Sequence, residues 1–461
     1  MTRLRSSARR DREEAALDTD VPVLVLRTDR NVFHHGTLGV IRSFGRAGVE
    51  VHAVLEGRGA PATWSRHLRQ GHSWLPGVER DEELVDALER VADRIDRRAL
   101  LVTVDDAGAI FVAEQAERLR RSFLFPRQEA DLPRRVSDKA SLAAICGQLG
   151  VAHPQTHCPT SEAEVREAIA DLGLPVVAKW ARPWLLTPGV GLRSTTVLHS
   201  LADAIALFAR VPQARGPLLL QRHLPPRPDG DWFFHGYFDG ISRCVLGATG
   251  RKERAYPPTA GLTSLGRWVE NEQLFRLAER LGGAIGYRGI LDLDFRYEPA
   301  TGAYHLLDFN PRLGAQFRLF TDRSGLDLVR ALHLDLTGRV TPPIQPNFGR
   351  ALMVENYDVL SALSRRAGAG TRLARARSLR GVGEFAWFAP DDPAPFVAMG
   401  AVWAAHGADR FGRRIGARLG RRPRPDAGAT SVFRPADAAD ATNPSPDPGL
   451  TDGQPRTETR T

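Results

Sequence analysis

With 461 residues the chain has room for two or three domains, and 42% hydrophobic against 25% charged residues is an ordinary globular balance. No run of about 18 apolar residues is present, so no membrane span is expected, and residues 1–20 lack the apolar centre of a signal peptide. The net charge of +9 is scattered over arginines, densest from Arg410 to Arg424, without a nucleic-acid-binding module, so no specific nucleic-acid partner is expected.

Cys146, Cys158 and Cys244 are odd in number and far apart, which fits a reducing cytoplasm better than a disulfide framework or a paired metal spacing. Among the 63 Lys and Arg residues only Lys139, Lys179 and Lys252 are lysine. A chain so biased to arginine keeps lysine where a compact point charge is wanted rather than a planar fork. Three harmless surface lysines are the simpler account until their surroundings are known.

Residues 1–20 lack periodicity and read as a disordered tail. VPVLVL from Val21 is a buried strand, followed by a polar loop through Asp29, His34, His35 and Gly36. A helix Thr37–Ala47 ended by Gly48, a strand Val49–Leu55, a helix Glu82–Arg94 and a strand Leu100–Val104 complete a small parallel α/β domain, 21–128. It has no GxGxxG, so dinucleotide binding is not expected there. His34 and His35 follow the first strand, where open α/β sheets place ligands; lacking an identifiable partner, they are weak substrate-side candidates and otherwise loop residues.

Asp138 caps a helix with Lys139 in its first turn, ending near Gly150. After a helix Glu162–Leu172, the strand LPVVAKW carries Lys179 into the loop RPWLLTPGVGLRS and a strand Thr195–Leu198. A glycine loop between strands can lay backbone N–H groups on phosphates, although two glycines are weak evidence. Leu218–Leu224 is a strand able to offer backbone groups to an adenine, with Asp231 beyond it suited to ribose hydroxyls. WFFHGYF and SRCVLGATGRKERAYP read as paired antiparallel strands, Arg251, Lys252 and Arg254 lying before the loop PPTAG; that charge run is equally a solvated face. A helix Val269–Leu281 should end at Gly282–Gly283.

Ile290–Arg312 is the chemically richest stretch. Leu291, Leu293 and Phe295 alternate with Asp292, Asp294 and Arg296, and Tyr304–Phe309 returns after a turn at Glu298–Gly302. The hairpin would gather Asp294, Asp308 and Asn310, oxygen ligands of the kind Mg²⁺ prefers, with Arg312 close by for a phosphate or carboxylate. By itself it is equally an exposed hairpin with an acidic face. Beyond it, helices Asp327–Leu336 and Val359–Arg366, a strand GEFAWF, a turn Asp391–Pro395 and a basic amphipathic helix Val402–Leu419 are expected. That last helix would pack on the body or touch an anionic surface; from Arg421 composition indicates disorder.

In order and spacing these pieces resemble the ATP-grasp superfamily over roughly residues 21–340, most of all its carboxylate–amine ligases, which include D-aspartate ligase-like and carbamoyl-phosphate-synthase-like proteins. The signature is carried by Asp138-Lys139, Val177-Ala178-Lys179, the hinge strand Leu218–Leu224, Asp294 and Asp308-Phe309-Asn310-Pro311-Arg312. The resemblance implies an α/β and α+β architecture, with a preceding domain 21–128, an ATP-grasp domain 129–340 whose two lobes clasp the nucleotide, a C-terminal extension 341–420 and tails 1–20 and 421–461. It also implies ATP with Mg²⁺ (or Mn²⁺) as cofactors. Lys139 and Lys179 would contact phosphates, Gln221 and Leu224 the adenine, and Asp231 the ribose. Asp294, Asp308 and Asn310 would bind two magnesium ions, Arg312 would hold the transferred phosphoryl group or the substrate carboxylate, and Lys252 and Arg251 would lie near the reacting phosphate. The family more often has glutamate where Asp308 stands, and alternation lets Asp292 replace Asp294. The reaction implied joins a small carboxylate to an amine through an acyl phosphate, releasing ADP and phosphate, and a homodimer is a further expectation. A bicarbonate-using relative and a non-catalytic ATP-binding regulator are the alternatives.

Overall fold

The computed structural model describes residues 16–57, 59–73, 81–186, 190–257, 261–364 and 381–418. The expected tail 421–461, residues 1–15 of the expected tail 1–20, the centres of the loops at 187–189 and 258–260, and the end of the helix expected to reach Arg366 lie outside the described residues.

The first sheet is parallel, in the order β3-β2-β1-β4-β5, with β1 Val23–Leu26, β2 Val51–Leu55, β3 Gln70–Ser73, β4 Ala99–Thr103 and β5 Phe123–Leu124. Both faces of β1 are covered, as its unbroken apolar run requires. Val23 and Val25 enter one core while Leu24 and Leu26 enter another. β3 escaped sequence reading because QGHS is polar and outermost in the sheet. The first helix starts earlier than expected, at His35, because His34 is its cap: Nδ1 accepts from the Thr37 N–H at 3.2 Å. Residues 16–20, expected in the tail, are tied down: Arg339 donates to the Ala16 carbonyl at 3.0 Å and pairs with Asp18 at 3.3 Å.

Two further sheets follow. β6 Thr156–His157, β9 Leu218–Arg222, β7 Val176–Trp180 and β8 Thr195–Leu198 form an antiparallel sheet in that order. The third runs β14-β13-β10-β11-β12-β15-β16, with β10 Asp231–Phe238, β11 Cys244–Tyr256, β12 Leu262–Trp268, β13 Gly289–Glu298, β14 Ala303–Asn310, β15 Ala351–Met353 and β16 Val382–Phe385. β12 went unread because Gly266 interrupts its pattern; a Cβ there would sit 3.2 Å from the Phe233 ring. The following helix, Glu272–Ala284, passes through Gly282–Gly283 instead of stopping there. Gly282 serves packing: a Cβ would lie 2.4 Å from the Phe238 ring.

The segment after residue 340 belongs to this third sheet. β15 pairs with β12 and β16 with β15. Beyond them the helices run Glu355–Ser364 and Ala394–Arg418, the latter starting well before Val402. Buried Arg42, from the helix His35–Gly45, donates to Asp392 Oδ2 at 3.0 Å and to the Trp387 carbonyl at 2.7 Å, fastening this segment to the first domain. Among the described residues no helix is long and apolar enough to cross a membrane.

Candidate functional site

A cleft of about 560 Å³ lies where the three sheets meet. It collects Lys139, Lys179, Gln221, Leu224, Asp231, Lys252, Asp294, Asp308, Asn310 and Arg312 from the expected set, together with His34 and His35. Arg251 is not on its wall. Its guanidinium pairs with Asp229 at 3.3 Å and faces Glu253 at 3.7 Å, because neighbours on a strand point to opposite faces and Lys252 takes the inward position.

Asp308 is the centre of charge. Lys139 Nζ lies 2.7 Å from its Oδ1 and Lys179 Nζ 3.2 Å from its Oδ2. Local folding aims all three groups. Lys139 opens the helix Lys139–Leu149, whose cap Asp138 accepts from the N–H groups of Ala140 at 3.0 Å and Ser141 at 3.1 Å. Asp294 stands opposite Asp308, but Phe295 pairs with Leu306, so Leu307 is the extra residue of a bulge. The Leu307 carbonyl accepts from Lys179 at 2.8 Å. Burial alone would raise the Asp308 pKa; the two ammonium groups override it and hold the group at about 2. The lysines diverge in response. Burial lowers both, yet Asp308 and Asp106 leave Lys139 above its ordinary value, while Lys179, repelled by Lys139, stays below.

Across the hairpin Asp294 is pushed up to about 6, first by burial and then by Asp292 and Asp308, against the pull of Lys252 at 3.9 Å. Asn310 donates its amide to the Asp292 carbonyl at 3.1 Å, which turns its own oxygen into the remaining acceptor. Among the described residues no three His, Cys, Asp or Glu side chains converge on a metal position. The donors here are two carboxylates and an amide. That set fits Mg²⁺, which is commonly held by one or two carboxylates while substrate phosphates and water supply the rest, and the mutual repulsion of Asp294 and Asp308 favours a cation between them.

Asp292, the alternative ligand, has other work. Its Oδ2 accepts from Arg312 Nη1 at 2.7 Å, and its Oδ1 lies 3.1 Å from His235 Nε2. His235 and Arg312 hold it well below the usual carboxylate range although burial opposes them. Arg312 Nε reaches Asp106 Oδ1 at 3.3 Å, so a guanidinium from the hairpin is locked between its own sheet and the first domain. Gly314 passes so close that a Cβ would fall 2.2 Å from the His235 ring.

At the end of the cleft lined by Gln221, Leu224 and Asp231, Arg296 ties the strands together. It donates to Asp231 Oδ1 and to the Leu224 carbonyl, each at 2.7 Å, while Gln221 donates to Thr156 Oγ1 at 2.9 Å. On the opposite side His34, with Nδ1 accepting from Thr37, carries its ring proton on Nε2 and meets the cleft as a donor. His35 is buried and pushed down to about 4.

Sequence reading missed Arg296, Asp105, Asp106 and Tyr357. Asp105 caps the helix Asp106–Glu114 and accepts from Thr28 Oγ1 at 2.7 Å, joining the loops after β1 and β4. The pair lies just past a parallel strand, the same signal that drew attention to His34 and His35. Tyr357 had no such signal; the strand β15 carries its helix to the cleft.

No protein-family model matches the chain. It is 24% identical over 328 residues to a D-aspartate ligase of Enterococcus faecium (strain Aus0004), covering 67% of this chain and 75% of the relative. It is also 24% identical over 220 residues to the carbamoyl phosphate synthase large chain of Deinococcus radiodurans, covering 45% of this chain and 19% of that protein. A crystal structure of N5-carboxyaminoimidazole ribonucleotide synthetase with ADP superposes with a TM-score of 0.54 at 12% identity, over 73% of this chain and 81% of that one.

Proposed function

We propose that the chain, similar in sequence to a D-aspartate ligase and to a carbamoyl phosphate synthase and in fold to an ADP-binding synthetase, is an ATP-grasp ligase that joins a carboxylate to an amine with ATP as phosphoryl donor. One observation carries most of the weight: Lys139 and Lys179 converge on Asp308, opposite Asp294, in the same cleft as the locked Arg312. A polyphosphate site beside an oxyanion site is what this reaction needs.

A carboxylate resists amines because its carbon is electron-rich and oxide is a poor leaving group. One carboxylate oxygen attacks the γ-phosphorus of ATP, the bond to the bridging oxygen breaks, and ADP departs. The amine then attacks the acyl carbon, phosphate leaves with the original carboxylate oxygen, and the amine nitrogen gives up its proton. Asp294, Asp308 and Asn310 would hold Mg²⁺, whose charge screens the β- and γ-phosphates. Lys139 and Lys179 bind phosphate oxygens. Arg312, unable to lose its proton and fixed by Asp292 and Asp106, presents its remaining N–H groups to the substrate carboxylate or the transferred phosphoryl group. Arg296 keeps Asp231 aimed at the ribose and the hinge in register. Walls from three sheets limit water around the acyl phosphate.

The test is release of ADP and phosphate by purified protein with pools of carboxylates and amines, supplied singly and together. Release that requires both, with amide formed in equal amount, is the expected result. Turnover with bicarbonate and no amine would assign the chain to the other chemistry, and nucleotide binding without turnover under any pairing would leave a binding protein.

A further inference from the structure

His235 lies within β10 and has no exposed surface, the rings of Phe233 and Phe320 standing 5.6 Å and 5.2 Å away. Its Nδ1 has no hydrogen-bond partner among the described residues. Burying an unpartnered polar atom among aromatic rings is costly, so packing alone would favour an apolar side chain in this pocket. What the imidazole gains is Asp292: Nε2 stands 3.1 Å from Oδ1, and neither atom has another partner among the described residues. The contact is closely walled, since a Cβ on Gly314 would fall 2.2 Å from the His235 ring and 2.8 Å from Asp292 Oδ2.

The register of the sheet accounts for the arrangement. His235 is opposite Asp292 and Asp292 opposite Asn310, so the three share one face in a row across β10, β13 and β14. Two residues along, the next row on that face is Phe233, Asp294 and Asp308. Phe233 offers Asp294 no donor, whereas His235 faces Asp292. The other oxygen of Asp292 accepts from Arg312 Nη1 at 2.7 Å. A chain of contacts thus runs from the aromatic core to the guanidinium that lines the cleft.

We propose that His235 is a positioning residue for oxyanion binding: it holds Asp292 Oδ1 from the core side and so fixes Oδ2 and, through it, the guanidinium of Arg312. A carboxylate held by one oxygen can turn about its terminal torsion, which has a broad minimum, and Arg312 would shift with it. Holding both oxygens removes that freedom. His235 itself touches no substrate; it acts through Asp292, and Asp106 steadies the same guanidinium from the first domain. Naming the oxyanion as the substrate carboxylate or the transferred phosphoryl group rests on the ligase reading, whereas the positioning of Arg312 does not.

The test compares His235→Gln, which keeps a donor near the place of Nε2, with His235→Leu and His235→Met, which have none. Methionine adapts to irregular pockets, so a donor-free variant remains where leucine disturbs packing. Calorimetric binding of inorganic phosphate to the full chain, with ADP and magnesium present, needs no turnover. The leucine and methionine variants should bind phosphate at least about tenfold more weakly and the glutamine variant less than about threefold, with ATP affinity within about twofold throughout. Where a carboxylate and amine turn over, kcat/KM for the carboxylate should fall in the same order while KM for ATP stays put. In Asp292→Asn, where the link is already cut, adding His235→Met should cost less than about twofold more. Phosphate binding that the donor-free variants leave intact, a glutamine variant no better than methionine, ATP affinity lost in step, or a wild type that binds no phosphate overturns the proposal. A wild type that turns over no pair of substrates rejects the ligase reading instead, and the phosphate comparison still decides the role of His235.

Discussion

Lys139 and Asp308 meet at 2.7 Å, a cation suited to phosphate against the carboxylate we assign to the metal. A metal at Asp308 would compete with the lysine for one carboxylate, and ATP would resolve that competition by giving the lysine phosphate oxygens. Asp308→Ala should cut turnover at least about a hundredfold. It also leaves two buried ammonium groups without their partner, a change that costs about 3–5 kcal/mol where desolvation is complete. ATP without magnesium should then raise the melting temperature of Asp308→Ala more than that of the wild type, because its lysines are free for phosphate. An equal or smaller rise in the variant would contradict the pairing.

Lys179 has a different balance, since it also donates to the Leu307 carbonyl. Lys179→Met should raise the ATP Kd at least about tenfold, the loss of one charge-assisted contact. Nucleotide titration by calorimetry reads this directly, and an unchanged Kd removes the residue from the phosphate site.

Asp106 belongs to the first domain yet fixes a hairpin guanidinium. Asp106→Asn should lower kcat/KM for the carboxylate by about ten- to a hundredfold while ATP affinity stays within about twofold, the mark of a displaced group rather than a lost nucleotide contact. Parallel loss of ATP affinity would show instead that the domains have come apart.

Acid should weaken the fold through His35. An unfolded histidine takes its proton near 6.5, whereas buried His35 resists until about 4. Between those values the unfolded chain binds the extra proton, so this contribution is complete above about pH 6.5 and is lost as pH falls towards 4. For His35 alone the difference between pH 7 and pH 5 is about 2 kcal/mol. Urea melts of the wild type and His35→Gln at both values would measure it, the variant having the shallower dependence.

Much of the site was legible because it rests on local rules. Alternation in Ile290–Phe295 revealed the hairpin, and the scarcity of lysine singled out all three that line the cleft. What stayed hidden depends on relations that periodicity cannot carry. Arg251 and Lys252 are neighbours beside an irregularity, the register shifting between Lys252 and Arg254, so which one faces inward is a property of the sheet. The engagement of Asp292 by His235 and Arg312, and of Arg312 by Asp106, depends on groups that reach the hairpin from another strand and from the loop after β4. Gly282 carries a stop signal that close contact with Phe238 overrides.

The pairing of β15 with β12 has a practical consequence. A chain shortened at residue 340, the end expected for the ATP-grasp domain, would strip β12 of its neighbour and expose an unpaired edge along Leu265–Arg267. Such an edge recruits strands from other molecules, so the shortened protein should aggregate. Arg42 would lose Asp392 in the same cut and remain deep in the first domain as a charge with no counterion.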